Sequence, residues 1–299
     1  MKTWSIETLE LGHVELNRRR MIANASGNGL VRVPVQGWLL QNGEHKVLID
    51  TGFRSPEVLQ KLGDSANGIS TNSLRLELQL KRLGLEMKDI DFILHTHLHL
   101  DHAGQTDQFP MSTVVVVNRR ELEYAVSGLS GPSYPAEDIK HLIDRLHTPG
   151  ALQLLDLEQT PSEEILPGIV CSAAGGHTEG SMLIHVQSDQ GMAVFSGDLV
   201  YSVFFQLLSK TVLHADPVVS ANFVVSRRNE KSALKRLLQS HPEFTLYPSH
   251  DLPVKIKSGR VVHDSFKGDD CGPSGCWCSF VETMGYSEQA PQPKAKEQA

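Results

Sequence analysis

The sequence predicts an α/β fold in which strands pair locally in hairpins and helices interrupt them. Three observations carry that prediction. Short β-rich runs alternate with stretches whose apolar residues recur at helical spacing. Turn sequences such as Gln41-Asn42-Gly43-Glu44 and Ser188-Asp189-Gln190-Gly191 separate neighbouring runs. Glycines stand where the helical periodicity stops.

Val31 to Leu40 and Lys46 to Asp50 read as the two strands of a hairpin, and Asp50-Thr51-Gly52 ends the second in a tight turn. Apolar spacing predicts helices over Ser55 to Leu62 and Ser73 to Leu83, stopped by Gly63 and Gly84. Asp91 to Leu94 and Thr113 to Val117 are short buried strands, and Arg119 to Val126 and Ala136 to Leu146 are helices. Between those helices the Gly-, Ser- and Pro-rich stretch Gly128 to Pro135 is a loop. Ile169 to Ser172, Ser181 to Gln187 and Met192 to Ser196 are strands, Glu230 to Ser240 a helix, and Phe244 to Tyr247 a final strand. The expected organisation is one domain over 1–285, with a cysteine-containing extension from about residue 260, and a disordered tail over 286–299.

The bulk numbers exclude some classes. The 299 residues suffice to bury a core, and 28 basic against 35 acidic side chains give a formal charge of −7. That balance argues against a nucleic-acid-binding surface, although a local patch could still serve nuclease chemistry. The one short basic run, Arg18-Arg19-Arg20, reads as a solvated turn. No apolar run approaches the ~20 residues that span a bilayer. The N-terminal stretch Met1 to Glu10 lacks the apolar segment of a secretory signal. Four cysteines do not make a disulfide scaffold in a chain of this size, so a reducing, cytoplasmic location is the default.

The decisive segment is His95-Thr96-His97-Leu98-His99-Leu100-Asp101-His102-Ala103-Gly104, at the end of a strand. On extended backbone His97 and His99 project to one side, so both imidazoles can reach one ion. Asp101 and His102 follow in the next turn and can reach a second ion. Imidazole and carboxylate suit zinc, manganese or iron, and do not suit copper(I) or a Cys-rich structural zinc site. Gly104 lets the backbone turn sharply away. A lone histidine is more often a packing or surface group; four metal-competent side chains this close together argue for a metal site.

The pattern His-x-His-x-Asp-His resembles the signature of the metallo-β-lactamase superfamily, and the similarity runs from about Val31 to Asp251. Leu48-Ile49-Asp50-Thr51-Gly52 is similar to the family's strand and turn before its first helix. Gly176-His177-Thr178-Glu179-Gly180-Ser181 is similar to the motif that supplies the third ligand of the first ion, here His177. Phe195-Ser196-Gly197-Asp198 matches the motif whose aspartate bridges the ions, and Pro248-Ser249-His250-Asp251 the motif whose histidine completes the second site. The resemblance implies a four-layer αββα sandwich with two divalent metal ions at one edge between the sheets. It assigns His97, His99 and His177 to one ion and Asp101, His102 and His250 to the other, with Asp198 and a hydroxide between them. Ions paired in this way sit ~3.5–4 Å apart, acidify the water between them, and stabilise the oxyanion formed at a carbonyl or phosphoryl centre. Zinc is the expected metal, and manganese, iron or cobalt fit the same ligands. No Gly-x-Ser-x-Gly elbow offers a competing nucleophile.

Within the superfamily, Asp198 stands where the commonest β-lactamases use a cysteine, so antibiotic hydrolysis is not expected. His99 is intact where flavin-coupled di-iron members carry an acid, which argues against a redox role. The expected reaction is hydrolysis of a lactone or ester, resembling the N-acyl-homoserine lactonases. In those enzymes a tyrosine three residues after the bridging aspartate holds the substrate carbonyl, and Tyr201 stands there. Asp101, Asp198 and Tyr201 are therefore the expected catalytic groups, although Tyr201 could equally be a packing residue at the pocket rim. Arg32 to Leu40 is also similar to the strand opening those lactonases. A glyoxalase-II-like thioesterase shares all seven ligands; Lys255, Lys257, Arg260 and Lys267 are the basic residues it would need, here placed beyond His250 in a tail. A phosphodiesterase or nuclease and a metal-stabilised binding module are the further alternatives. A small-molecule substrate, no nucleic acid, no membrane and a possible homodimer are the expected partners.

Some features stand outside the shared motifs. Phe204 and Phe205 could line an apolar substrate pocket, or belong to a core helix or an oligomer contact. Cys271, Cys276 and Cys278 could bind a metal with His263 or Asp270, form a redox pair, or simply fall in a Gly/Pro-rich turn. Cys171 reads as a small buried side chain in a strand, and His95 as a packing or supporting group. His185 and His214 carry no spacing signal. Asp50 is expected to hydrogen-bond backbone or a ligand imidazole.

Overall fold

Alternating burial along the strands builds two sheets that face each other in this computed structural model, which describes residues 3–17, 30–63, 66–129, 131–203, 206–207 and 227–262. The first sheet contains β1 (Ser5–Asn17), β2 (Leu30–Gln41), β3 (Lys46–Ile49), β4 (Asn67–Ile69), β5 (Phe92–Leu94), β6 (Val114–Asn118) and β7 (Leu152–Leu155). Their order across the sheet is β4-β1-β2-β3-β5-β6-β7. The second contains β8 (Ser162–Leu166), β9 (Ile169–Ala173), β10 (Met182–Ser188), β11 (Gly191–Gly197), β12 (Glu243–Pro248), β13 (Val254–Lys257) and β14 (Arg260–Val261), in reverse order from β14 to β8. The strands β3, β5, β6 and β7 run parallel, as do β11 and β12, and the other neighbours are antiparallel.

Three apolar layers follow from this arrangement. Between the sheets, Trp38, Leu40, Ile49, Leu94 and Val116 meet Cys171, Met182, Ile184 and Phe195. Trp38 and Phe195 pack with ring centroids 5.0 Å apart, and Phe195 stacks on Tyr247 at 4.9 Å. Burying each such side chain contributes roughly 1.5–3 kcal/mol. The outer face of the first sheet, with Val35, Leu48 and Val115, is covered by α1 (Leu76–Arg82), α2 (Arg119–Val126) and α3 (Ala136–Leu146) through Leu80, Leu122 and Leu142. The outer face of the second, with Val194 and Leu246, is covered by α4 (Arg227–Leu238) through Ala233, Leu234 and Leu237. Helix, sheet, sheet, helix is the αββα sandwich that the motifs imply.

Several elements differ from the sequence expectation. Residues Pro56–Leu62 form a 3₁₀ helix, closed by Gly63 at φ 114°, and Ser73 to Leu83 divides into a 3₁₀ turn Asn72–Leu74 and α1. The connection between β2 and β3 is the four residues Asn42 to His45, whose backbone N–H groups at Glu44 and His45 donate to Asn42 Oδ1. The N-terminal strand β1 was not expected. Its bulge between Glu10 and Gly12 shifts the apolar residues from Leu9 and Leu11 to Val14 and Leu16, which breaks the period of two. Lys255, Lys257 and Arg260 lie in the β13–β14 hairpin of the second sheet, and so are part of the domain rather than a tail. Among the described residues no helix is long and apolar enough to cross a membrane. The expectations for Arg18 to Arg20, Phe204, Phe205, His214, His263, Lys267, Asp270, Cys271, Cys276, Cys278 and the tail over 286–299 lie outside the described residues.

Candidate metal centre

The carboxyl ends of β3, β5, β11 and β12 meet at one edge of the sandwich, each delivering polar side chains. Asp50 follows β3, His95 to His102 follow β5, Asp198 follows β11 and His250 follows β12. His177 comes from the connection between β9 and β10 and holds φ at 66°; Asp50 holds φ at 56°. Non-glycine residues in this left-handed region cost free energy and persist where the surroundings fix them. Gly197, at φ +50°, leaves no room for a side chain, because a Cβ there would meet Thr96 Oγ1 at 2.7 Å. Gly104 serves by close approach rather than by unusual dihedrals, since a Cβ would lie 2.4 Å from Arg54 N.

All seven expected ligands converge in two groups. His97, His99, His177 and Asp198 form one, Asp101, His102 and His250 the other. In the first, His97 Nε2 lies 3.0 Å from His99 Nδ1, and His177 Nε2 lies 3.1 Å from each. Asp198 Oδ2 is 3.7 Å from His97 Nε2 and 3.4 Å from His177 Nε2. Its other oxygen, Oδ1, is 3.1 Å from His102 Nε2 and 3.2 Å from His250 Nε2. Asp101 reaches the second group with Oδ2 3.5 Å from His250 Nε2 and Oδ1 3.9 Å from His102 Nε2. The two oxygens of Asp198 thus face the two groups separately.

The donor set fits two divalent ions. Tetrahedral ligand atoms at ~2.0–2.1 Å from zinc are about 3.3 Å apart, close to the spacing in the first group. Both oxygens of Asp198 and the Nε2 atoms of His102 and His250 are buried without a hydrogen-bond partner. Unpaired buried polar atoms are costly, so their convergence points to a cation that would satisfy them.

Protons are held on the far sides of the rings. Asp50, fully buried, accepts from Thr96 N–H at 2.9 Å, Thr96 Oγ1 at 2.7 Å and His102 Nδ1 at 2.9 Å. His97 Nδ1 lies 3.1 Å from Thr96 Oγ1, so Thr96 relays between Asp50 and a histidine of the other group. His250 Nδ1 donates to the Pro34 carbonyl at 2.7 Å. These partners fix tautomers that leave Nε2 free. Burial pushes His99 and His177 down to about 3, and burial together with His102 and His99 holds His97 well below its ordinary value. Those three imidazoles keep their lone pairs. Burial opposes charge on His102 and His250 too, but Asp198 and Asp101 raise both above the ordinary value. Burial likewise opposes charge on Asp198, yet His250, His102, His177 and His97 hold its carboxyl well below the usual range.

Tyr201 lies beside both groups. Its ring stacks on His250 at 4.8 Å and stands 5.8 Å from His177, so it touches both groups. Burial, then Asp198 and Asp101, push its phenol well above the ordinary value, so it remains a donor. A pocket beside Tyr201 is lined by His99, Asp101, Tyr201 and His250 on its polar side and by Val14, Leu16 and Leu62 on its apolar side. His95 is a supporting group, with Nε2 2.8 Å from Thr106 Oγ1 and Nδ1 3.4 Å from Asp50.

Sequence reasoning missed two residues that shape this corner. Gln206 Oε1 accepts the N–H groups of Tyr201 and Ser202, and its Nε2 donates to the Leu199 carbonyl. Asp251 accepts the Val203 N–H at 2.7 Å. A single amide within the apolar run Val203 to Leu208 was the available signal for Gln206.

The model of the metallo-beta-lactamase superfamily matches residues 30–250. A curated N-acyl homoserine lactonase of Bacillus cereus is 26% identical over 200 residues, covering 64% of this chain and 74% of that protein. The N-acyl homoserine lactonase AiiB of Agrobacterium fabrum is 26% identical over 202 residues, covering 61% and 71%. A solved N-acyl homoserine lactone hydrolase, with the product N-hexanoyl-L-homoserine bound at its catalytic metal center, superposes with TM-score 0.68 at 22% identity, over 84% of this chain and 95% of that one. AidC, a dizinc quorum-quenching lactonase, superposes with TM-score 0.60 at 17% identity, over 83% and 87%. At those identities the structural likeness speaks for the fold alone. With the αββα layers, the converging histidines and aspartates, and a family match across 30–250, the chain belongs to the metallo-beta-lactamase superfamily.

Proposed function

We propose that this protein is a metal-dependent hydrolase that opens the ester bond of a lactone, of the N-acyl-homoserine lactone kind. His97, His99, His177 and Asp198 would hold one divalent ion, and Asp101, His102, His250 and the second oxygen of Asp198 the other. The observation that carries the reading is the position of Tyr201, stacked on His250, beside His177, and opening onto the pocket walled by Val14, Leu16 and Leu62. When bound, the ions would acidify water and polarise the substrate carbonyl. Ring opening adds water across the acyl C–O bond: the acyl carbon takes a hydroxyl and the alkoxide takes a proton. The Tyr201 phenol, kept protonated, donates first to the carbonyl oxygen and then to the departing alkoxide. The apolar wall takes the acyl chain and excludes water from it.

The named activity of the curated relatives supports this class of substrate. The thioesterase reading is weaker, because among the described residues Lys255, Lys257 and Arg260 are on the β13–β14 hairpin and do not line the pocket. The test is hydrolysis of a panel on one purified sample: acyl-homoserine lactones of several chain lengths, a simple aliphatic lactone, S-lactoylglutathione and a bis-aryl phosphate. Fast lactone turnover is expected. Inert lactones with thioester or phosphodiester turnover would move the assignment.

A further inference from the structure

Glu121, on α2, lies outside both groups of metal-competent side chains, yet its carboxylate is completely buried. Each oxygen has its own pair of donors. Oε1 accepts the backbone N–H of Leu98 at 2.9 Å and the Tyr134 hydroxyl at 2.9 Å. Oε2 accepts the Thr178 hydroxyl at 2.7 Å and the Gly180 N–H at 3.2 Å. Leu98 sits between His97 and His99, and Thr178 follows His177. One oxygen therefore serves the loop carrying two of the histidines, and the other oxygen serves the loop carrying the third.

Further contacts seat the His177 loop on the first turn of α2. Asn118 Nδ2 donates to the Gly180 carbonyl at 3.1 Å, and Arg120 pairs with Glu179. The backbones approach so closely that a Cβ at Gly180 would meet Glu121 N at 2.1 Å. On the other side, Tyr134 presents its ring to His99 with centroids 4.8 Å apart.

We propose that Glu121 is a positioning residue for the three-histidine site, tying the His97–His99 loop to the His177 loop and so setting the spacing of their ligand nitrogens. This rests on reading those histidines as a metal site. The backbone N–H groups of Leu98 and Gly180 can only donate, one to each oxygen, and a carboxylate satisfies both together. An amide in its place keeps one acceptor oxygen and turns an NH₂ toward one of those N–H groups, so either orientation releases one loop.

The experiment compares the wild-type protein with Glu121→Gln and Thr178→Val. Zinc affinity is measured by chelator competition, the cobalt-substituted proteins by visible absorption, and folding by circular dichroism and thermal melting. For Glu121→Gln zinc affinity is expected to weaken by about 10–100-fold, with altered cobalt absorption, in a protein that remains folded. Thr178→Val, which removes one of the two donors joining Oε2 to the His177 loop, moves both readouts the same way by a smaller factor, and decides the matter if Glu121→Gln does not fold. Wild-type zinc affinity and cobalt absorption in the folded variants, whatever their melting temperature, would overturn the proposal and leave the metal site standing. A wild-type protein that takes up no metal would overturn the metal reading and this inference with it.

Discussion

Replacing Asp50 with Asn should disturb both halves of the metal centre without disturbing the backbone. Asn tolerates the left-handed conformation that Asp50 holds at φ 56°, so the turn after β3 should survive. The amide has two orientations. If its oxygen stays with the Thr96 N–H, its NH₂ replaces Oδ2 and faces His102 Nδ1, 2.9 Å away, and Thr96 Oγ1, 2.7 Å away. His102 Nδ1 must then become the acceptor, which moves the proton to Nε2, the atom that faces Asp198. Thr96, now accepting, can no longer hold the proton of His97 Nδ1 and also place its own. In the other orientation the NH₂ faces the Thr96 N–H, and a buried donor is left unpaired. An unsatisfied buried group costs about 1–3 kcal/mol. At about 1.4 kcal/mol per factor of ten, that corresponds to roughly 10–100-fold in metal affinity. Chelator competition with zinc on purified Asp50→Asn reads it directly. Two ions bound with wild-type affinity would refute the tautomer reasoning.

Further outcomes follow from the same geometry. Tyr201→Phe keeps the ring on His250 but removes the hydroxyl, so lactone kcat should fall about 100-fold with metal content unchanged; an unchanged kcat would leave Tyr201 a packing residue. Leu16→Trp narrows the apolar wall and should raise KM for long-chain lactones about tenfold while sparing short ones, which a chain-length series checks. In the metal-free protein, burial opposes charge on His102 and His250, but Asp198 raises both above the ordinary 6.5. Below those raised values the imidazoles hold protons that zinc must displace, so apparent affinity should fall as pH falls. Calorimetry of zinc binding to metal-free protein in buffers of different ionisation heat should show net proton release near neutral pH; none would contradict it.

What was legible in the sequence divides along physical lines. The candidate ligands were legible because metal chemistry demands particular residue types at short spacing, as in His97 to His102, and the family motifs point to the distant ones. The central strands were legible because parallel β5 and β6 are buried on both faces and read as apolar runs. The N-terminal strand β1 was hidden because its bulge at Gly12 shifts the period of two. The hairpin of β13 and β14 was hidden because Lys255 and Lys257 alternate with buried Val254 and Ile256 over only four residues. Glu121 and Asp251 act through groups far away in sequence, and Gln206 through backbone groups of the turn just before it. Nothing short-range marks such a residue except a polar side chain on an otherwise apolar face, as at Glu121 beside Leu122 and Ala125.

Metal content and lactone turnover, followed on one sample through chelation and reloading, test the central claim most directly. Two zinc-type ions per chain are expected, with lactone hydrolysis lost on chelation, restored on reloading, and absent in Asp198→Ala. Hydrolysis that persists after the metal is stripped, or a fully loaded protein inert toward every lactone offered, would contradict it.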